Sequence, residues 1–169
     1  SFLVEGAVMD WSGVLLTEVK NMDIALAGTG YAIFSVSMLI MRLLGDKTVQ
    51  FLGEQKAVIG GSIVTAAGFA LVVVLDNLYL NAFAFILIGL GCANIVPVFY
   101  SLLKYQKDMP ISAAVTSVTS LGYTGVILGP ALLGFVAHGI NISAVFELVA
   151  LLLVIEAGIA KYVFCKLKM

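Results

Sequence analysis

The chain has 169 residues, 62% of them hydrophobic and only 11% charged, with a formal net charge of −1. Ordinary globular domains hold about 45–50% apolar and about 25% charged residues, so this composition excludes a soluble protein. It carries no basic or acidic block on which nucleic-acid binding could rest, and no nucleic-acid partner is expected.

A bilayer span needs about 20 mostly apolar residues, and runs of that kind recur along nearly the whole chain. The opening run, SFLVEGAVMDWSGVLL, predicts a first helix over about 2–18, the shortest of the set and the one that carries Glu5, Asp10 and Trp11. The run starts on serine and lacks a basic n-region, so it is expected to be a cut end with preceding chain absent. A charge inside a span costs about 2.5–3.5 kcal/mol on insertion scales, which helices tolerate when the acid faces protein or water. At 100° per residue Glu5 and Asp10 lie about 140° apart, so one lines a cavity while the other packs against a neighbouring helix. The structural alternative for either acid is a protonated or hydrogen-bonded group. Trp11 reads as a packed or interfacial aromatic, or as part of a polar-solute wall, because aromatic faces beside hydrogen-bonding groups suit sugar-like and other amphipathic solutes.

The second helix is predicted over 24–44, with Tyr31 and Ser35 four residues apart, followed by a longer basic connection, Gly45–Lys56. A third helix covers 57–75 and a fourth 78–103. In the fourth, LGCANIVPVFYS places Asn94 three residues before Pro97. Proline frees a carbonyl in the preceding turn, which gives either a structural kink or, with Asn94, a contact for solute.

The fifth helix, 112–137, aligns Ser112, Thr116, Thr119 and Tyr123 in one stripe, which lines a watery path or back-bonds to its own carbonyls. In GVILGPALLG, Gly125 and Gly129 make a small-residue face and Pro130 weakens the ladder, so close packing with a kink is expected. The last helix, 142–164, carries Glu147 and Glu156 on opposite faces, so at most one points inward. Cys92 and Cys165 fit neither a disulfide framework nor a zinc site.

Together these give an all-α membrane protein: one six-transmembrane-helix bundle over 1–169, embedded in a lipid bilayer. If the helices alternate in direction, one side receives Arg42, Lys47, Lys56, Lys104, Lys107, Lys161, Lys166 and Lys168, and the other only Lys20. Cytoplasmic loops keep positive charge, so the carboxyl end is expected in the cytoplasm. Catalysis is not expected. His138, the only histidine, falls in a loop, which does not suit a rhomboid-like serine protease; Gly45-Asp46 lacks the Tyr-Asp partner of the aspartyl intramembrane proteases. No cofactor and no metal are expected.

The loop Arg42-Leu-Leu-Gly45-Asp46-Lys47, with Gly53 and Lys56 following, resembles the loop signature of the major facilitator superfamily, where it recurs between helices 2 and 3 and more weakly between 8 and 9. EGAVMDWSGVLL resembles helix 7, GLGCANIVPVFYSL helix 10 and LGYTGVILGPALLGFVA helix 11 of the fucose-permease-like branch, in that order and over most of the chain. This chain departs from the loop pattern at Glu54, where the family is usually basic. The resemblance implies one half of a major facilitator fold, helices 7 to 12, whose amino-terminal six-helix half is missing. It implies a proton-coupled transporter of a small, sugar-like solute in a bacterial inner membrane, rocking about a central site. Helices 7, 8, 10 and 11 would face the cavity, which implies Glu5 or Asp10, Trp11, Tyr31, Asn94 and Tyr123 as solute contacts, with Arg42, Gly45, Asp46 and Lys47 in a gating loop. Coupling carboxylates of that branch usually lie in the other half. The alternatives are a proton-antiport exporter of amphipathic compounds, with an apolar cavity holding one acid, and a non-transporting membrane module.

Overall fold

In a computed structural model, residues 2–106 and 109–166 are described, all of them in helices or short connections; Lys107 and Lys168 lie outside the described residues. Helix α1, Phe2–Val14, runs on into a wider π turn over Leu15–Val19, closed where the Lys20 N–H donates to the Leu15 carbonyl at 3.0 Å. A 3₁₀ turn, Ile24–Leu26, is capped by the Asp23 side chain and leads into α2, Thr29–Leu43. The predicted connection 45–56 is mostly helical instead: α3, Gly45–Leu52, follows α2 after Leu44 alone. Gly53, at φ 83°, breaks the chain there, a conformation that glycine adopts without a Cβ penalty. Helix α4 then starts at Glu54, three residues ahead of the predicted start, and ends at Val74.

The fourth predicted span is two helices in line, α5 (Leu78–Cys92) and α6 (Ile95–Leu102). The break falls at Ala93–Asn94 because Pro97 has no N–H to donate and its ring meets the carbonyl four residues back, that of Ala93. Helix α7, Ile111–Gly139, is continuous across Pro130, and α8 covers Ile142–Lys166, its first turn capped by Asn141.

Among the described residues five helices are long and apolar enough to cross a membrane: Ile24–Leu43, Glu54–Val74, Leu78–Tyr105, Ile111–Gly139 and Ile142–Lys166. The opening helix stands apart because Glu5, Asp10 and Glu18 all fall within it. Around the bundle, α4 packs between α5 and α8, α2 against α5, α1 against α2 and α7, and α7 against α8.

With lipid outside, close contact rather than water exclusion holds such helices together, and small residues allow it. Gly61 of α4 and Gly91 of α5 show this directly. A Cβ on Gly61 would come within 2.5 Å of the Gly91 carbonyl oxygen, and one on Gly91 within 2.7 Å of that of Gly61. Phe69 and Phe146, ring centroids 5.6 Å apart, fill the joint between α4 and α8. Helix α7 is held more loosely, burying only Ala114, Gly129 and Leu133. Its packing differs from the predicted Gly125–Gly129 face. Gly129 receives Leu3 and Gly122 receives the Phe2 ring, whereas nothing lies near Gly125.

Candidate functional site

The amino end of α1 meets the carboxyl end of α2. Glu5 sits in the first turn of α1 and Arg42 in the last turn of α2, each at the helix end whose partial charge favours it. The Arg42 guanidinium donates to the Glu5 carboxylate at 2.9 Å, and both side chains are partly open to solvent. Glu5 therefore lies near one end of the bundle, joined to a residue of the predicted gating loop.

Asn94 follows the same pattern. It is buried at the α5–α6 break, and its side chain rests on the backbone of Gly45, where a Cβ would come within 2.5 Å of Asn94 Oδ1. Arg42, Gly45, Asp46, Glu54, Asn94 and Ser101 line a cavity of about 290 Å³ at this end. Glu54, the residue that departs from the loop pattern, holds its far wall. Its carboxylate accepts from Ser101 Oγ at 2.9 Å and from Lys104 Nζ at 3.3 Å, tying the start of α4 to the end of α6. Lys47 is exposed on α3.

The remaining predicted contacts are spread along the bundle. Asp10 is exposed near the middle of α1. Trp11 is partly buried, its ring edge near Gly134 of α7, and its enclosed Nε1 has no partner. Tyr31, 42% exposed, lies beside the Phe34 ring on α2. Tyr123, 58% exposed, stacks on Phe2 with ring centroids 6.1 Å apart. Among the described residues no hydrogen bond joins Asp10, Trp11, Tyr31 or Tyr123 to one another. In the hydroxyl stripe, Thr116 back-bonds to the Ser112 carbonyl at 2.9 Å, while Thr119 reaches across to the Tyr100 hydroxyl on α6 at 2.8 Å.

Three features escape the sequence reading. Tyr100 links α6 to α7, and only its place one turn after Pro97 hints at it. The Ser101–Glu54–Lys104 cluster joins residues far apart in sequence. At the opposite end of the bundle Lys20 Nζ donates to the Val73 carbonyl and to Asp76, both at 2.7 Å, with its own side chain 4% exposed. The signal for Lys20 is its isolation, a lone cation among Glu18, Asp23 and Asp76. Among the described residues no group of His, Cys, Asp or Glu converges to hold a metal ion.

Over 162 residues the chain is 40% identical to an uncharacterized MFS-type transporter of Yersinia pestis, a match that takes in 96% of this chain and 42% of that protein. It is 31% identical to an uncharacterized transporter of Sinorhizobium fredii, over 95% of this chain and 42% of the relative. It is 25% identical to membrane protein MosC of Rhizobium meliloti, over 94% of this chain and 38% of the relative. The chain is an all-α membrane protein similar to transporters. It spans between 38% and 42% of the length of the curated relatives it matches. No protein-family model and no solved structure matches it.

Proposed function

We propose that the chain is the carboxyl-terminal half of a proton-coupled secondary transporter that moves a small, sugar-like solute by alternating access. The observation that supports it most is the similarity over nearly the whole chain to two proteins named as transporters, of which it spans 42%. A six-helix half pairs with a second half around a shared site, and each half rocks against the other.

Under this reading Glu5–Arg42 and the Asn94–Gly45 contact belong to the end that opens and closes. Arg42, Asp46 and Lys47 lie on or beside α3, where they meet the facing half. Asp10, Trp11, Tyr31 and Tyr123 provide ring faces and a carboxylate along the wall toward the solute. The lysine-rich end lies in the cytoplasm and the protein in a bacterial inner membrane.

Uptake of labelled sugars into vesicles under a proton gradient tests the reading, with the chain alone and with an amino-terminal six-helix half supplied. Uptake that requires both halves and falls in Asp10→Asn is the expected result. Absence of uptake of every sugar by the two-half protein overturns the sugar-like assignment.

A further inference from the structure

Asp46 and Glu54 both line the cavity beside Asn94. Lys56, two residues after Glu54 and so about 200° around α4, lines a different space. This is an apolar groove of about 270 Å³ where Thr48 and Leu52 of α3 meet Gly60 and Val64 of α4 and Leu90 of α5. Lys56 is the sole charged residue in its lining. Arg42 and Lys104, cations at the same end of the bundle, are paired with Glu5 and Glu54, whereas Lys56 is exposed and forms no ion pair or hydrogen bond among the described residues. Its own helix gains nothing from it, because the first turn of a helix favours negative charge.

The groove opens on the outside of the bundle. Gly60 is exposed and a Cβ there would meet nothing within 4 Å, so the missing side chain leaves a trough rather than a helix contact. From Lys56 to Val64 the trough follows about 12 Å of helix. At the same end Leu43 and Phe51 are 77% and 89% exposed. Beside Lys47 and Lys56 they give the pairing of apolar and basic residues found where a helix lies at lipid headgroups.

These features select the occupant. The Thr48 hydroxyl already donates to the Leu44 carbonyl at 3.0 Å, which leaves Asn94, 5% exposed, as the one uncharged polar side chain of the wall open to a ligand. A polar solute finds too few partners there. Free phosphate would gain Lys56 but leave the trough unfilled, and a lipid without net charge would fill the trough but gain little from the lysine. An anionic lipid uses both, and basic pockets between spans on the cytoplasmic side hold such headgroups.

We propose that this groove binds one anionic phospholipid of the phosphatidylglycerol class, its headgroup phosphate on Lys56 and the upper part of an acyl chain over Gly60 toward Val64. Binding here is expected whether or not a solute is carried.

Native mass spectrometry of the protein at its native length, in detergent titrated with dioleoylphosphatidylglycerol or dioleoylphosphatidylcholine, holds the chains constant and changes the headgroup charge. One phosphatidylglycerol is expected to bind at lower concentration than phosphatidylcholine. Lys56→Gln should weaken phosphatidylglycerol about fivefold, to the level of phosphatidylcholine, and Lys56→Arg should retain it within about twofold, as one basic residue at an anionic headgroup would. Gly60→Leu fills the trough from an open position and should weaken both lipids with Lys56 in place. Lys161→Gln, which removes an exposed cation of α8, should change neither. Equal binding of the two lipids, unchanged binding in Lys56→Gln or Gly60→Leu, or an equal loss in Lys161→Gln overturns the proposal. Displacement of phosphatidylglycerol by inorganic phosphate alone overturns the lipid as occupant and leaves a simple anion site at Lys56.

Discussion

Glu5 and Arg42, 37 residues apart in sequence, meet at 2.9 Å and close the first turn of α1 onto the last turn of α2. Both side chains are more than a third open, at 35% and 43%, so the pair belongs with exposed ion pairs, typically about 0.2–1 kcal/mol. A double-mutant cycle with Glu5→Gln and Arg42→Gln is expected to return a coupling energy in that range by thermal unfolding in detergent, and lower at high salt. The charge-swapped double variant should regain most of it. A coupling of zero at low salt would show that the two side chains do not act on each other.

Gly45 is the more restrictive contact. A methyl group there would press on Asn94 Oδ1 from 2.5 Å, and overpacking of this kind costs about 1–3 kcal/mol. Gly45→Ala should lower stability by about that amount, and Asn94→Ala in the same chain should recover much of the loss, because the two substitutions share one space. Additive effects in the unfolding curves would contradict the contact.

A similar argument applies in the core. Gly61 and Gly91 face each other across α4 and α5 so closely that a Cβ on either would press on the other's carbonyl oxygen, and one on Gly91 on the Thr65 hydroxyl as well. Gly61→Ala and Gly91→Ala are each expected to cost about 1–3 kcal/mol. Once the helices have separated to admit one methyl, the second is cheaper, so the double variant should lose less than the two single losses combined. Unfolding midpoints of the three variants settle this.

The repeat of long apolar runs made the helices legible in the sequence, since only a helix satisfies every backbone group within lipid. The break at Asn94 was legible for the same reason, through Pro97. Much else depends on pairing between distant segments, which no local pattern encodes. Glu5 and Asp10 look alike in sequence as acids in an apolar run, yet Glu5 meets Arg42 and Asp10 is exposed, because α2 ends beside the start of α1. Gly125 and Gly129 satisfy the spacing of a packing face, but the large residues opposite, Phe2 and Leu3, fall at Gly122 and Gly129. The connection Gly45–Lys56 reads in the sequence as a longer basic loop, while α3 makes most of it a short amphipathic helix laid against α4.

Lys20 and Asp76 form an ion pair of unequal burial, 4% against 87% side-chain exposure. That asymmetry gives the two deletions different costs. Lys20→Met removes the cation together with its bonds and leaves Asp76 in water, a loss of about 0.5–1.5 kcal/mol. Asp76→Ala leaves an enclosed ammonium with only the Val73 carbonyl, and an unsatisfied buried group costs about 1–3 kcal/mol, more when charged. Asp76→Ala is therefore expected to be the less stable variant. The reverse order would place Lys20 in contact with solvent.

Orientation follows from which helix ends lie together. Arg42, Lys56 and Lys104 sit at the end where α2 stops, α4 starts and α6 stops, whereas Lys20 and Asp76 meet at the other end. Basic residues are retained on the cytoplasmic side, so Cys165, exposed near the carboxyl end of α8, is expected inside the cell. Tyr79, 82% exposed at the start of α5, is then expected outside. A membrane-impermeant maleimide added to intact cells should label Tyr79→Cys in a Cys165→Ser background, and should reach native Cys165 only after the cells are permeabilised. Buried Cys92 should give no background in either case. Labelling of Cys165 in intact cells, with Tyr79→Cys protected, would invert the bundle, set aside the positive-inside argument for this chain and place the Glu5–Arg42 pair at the outer face.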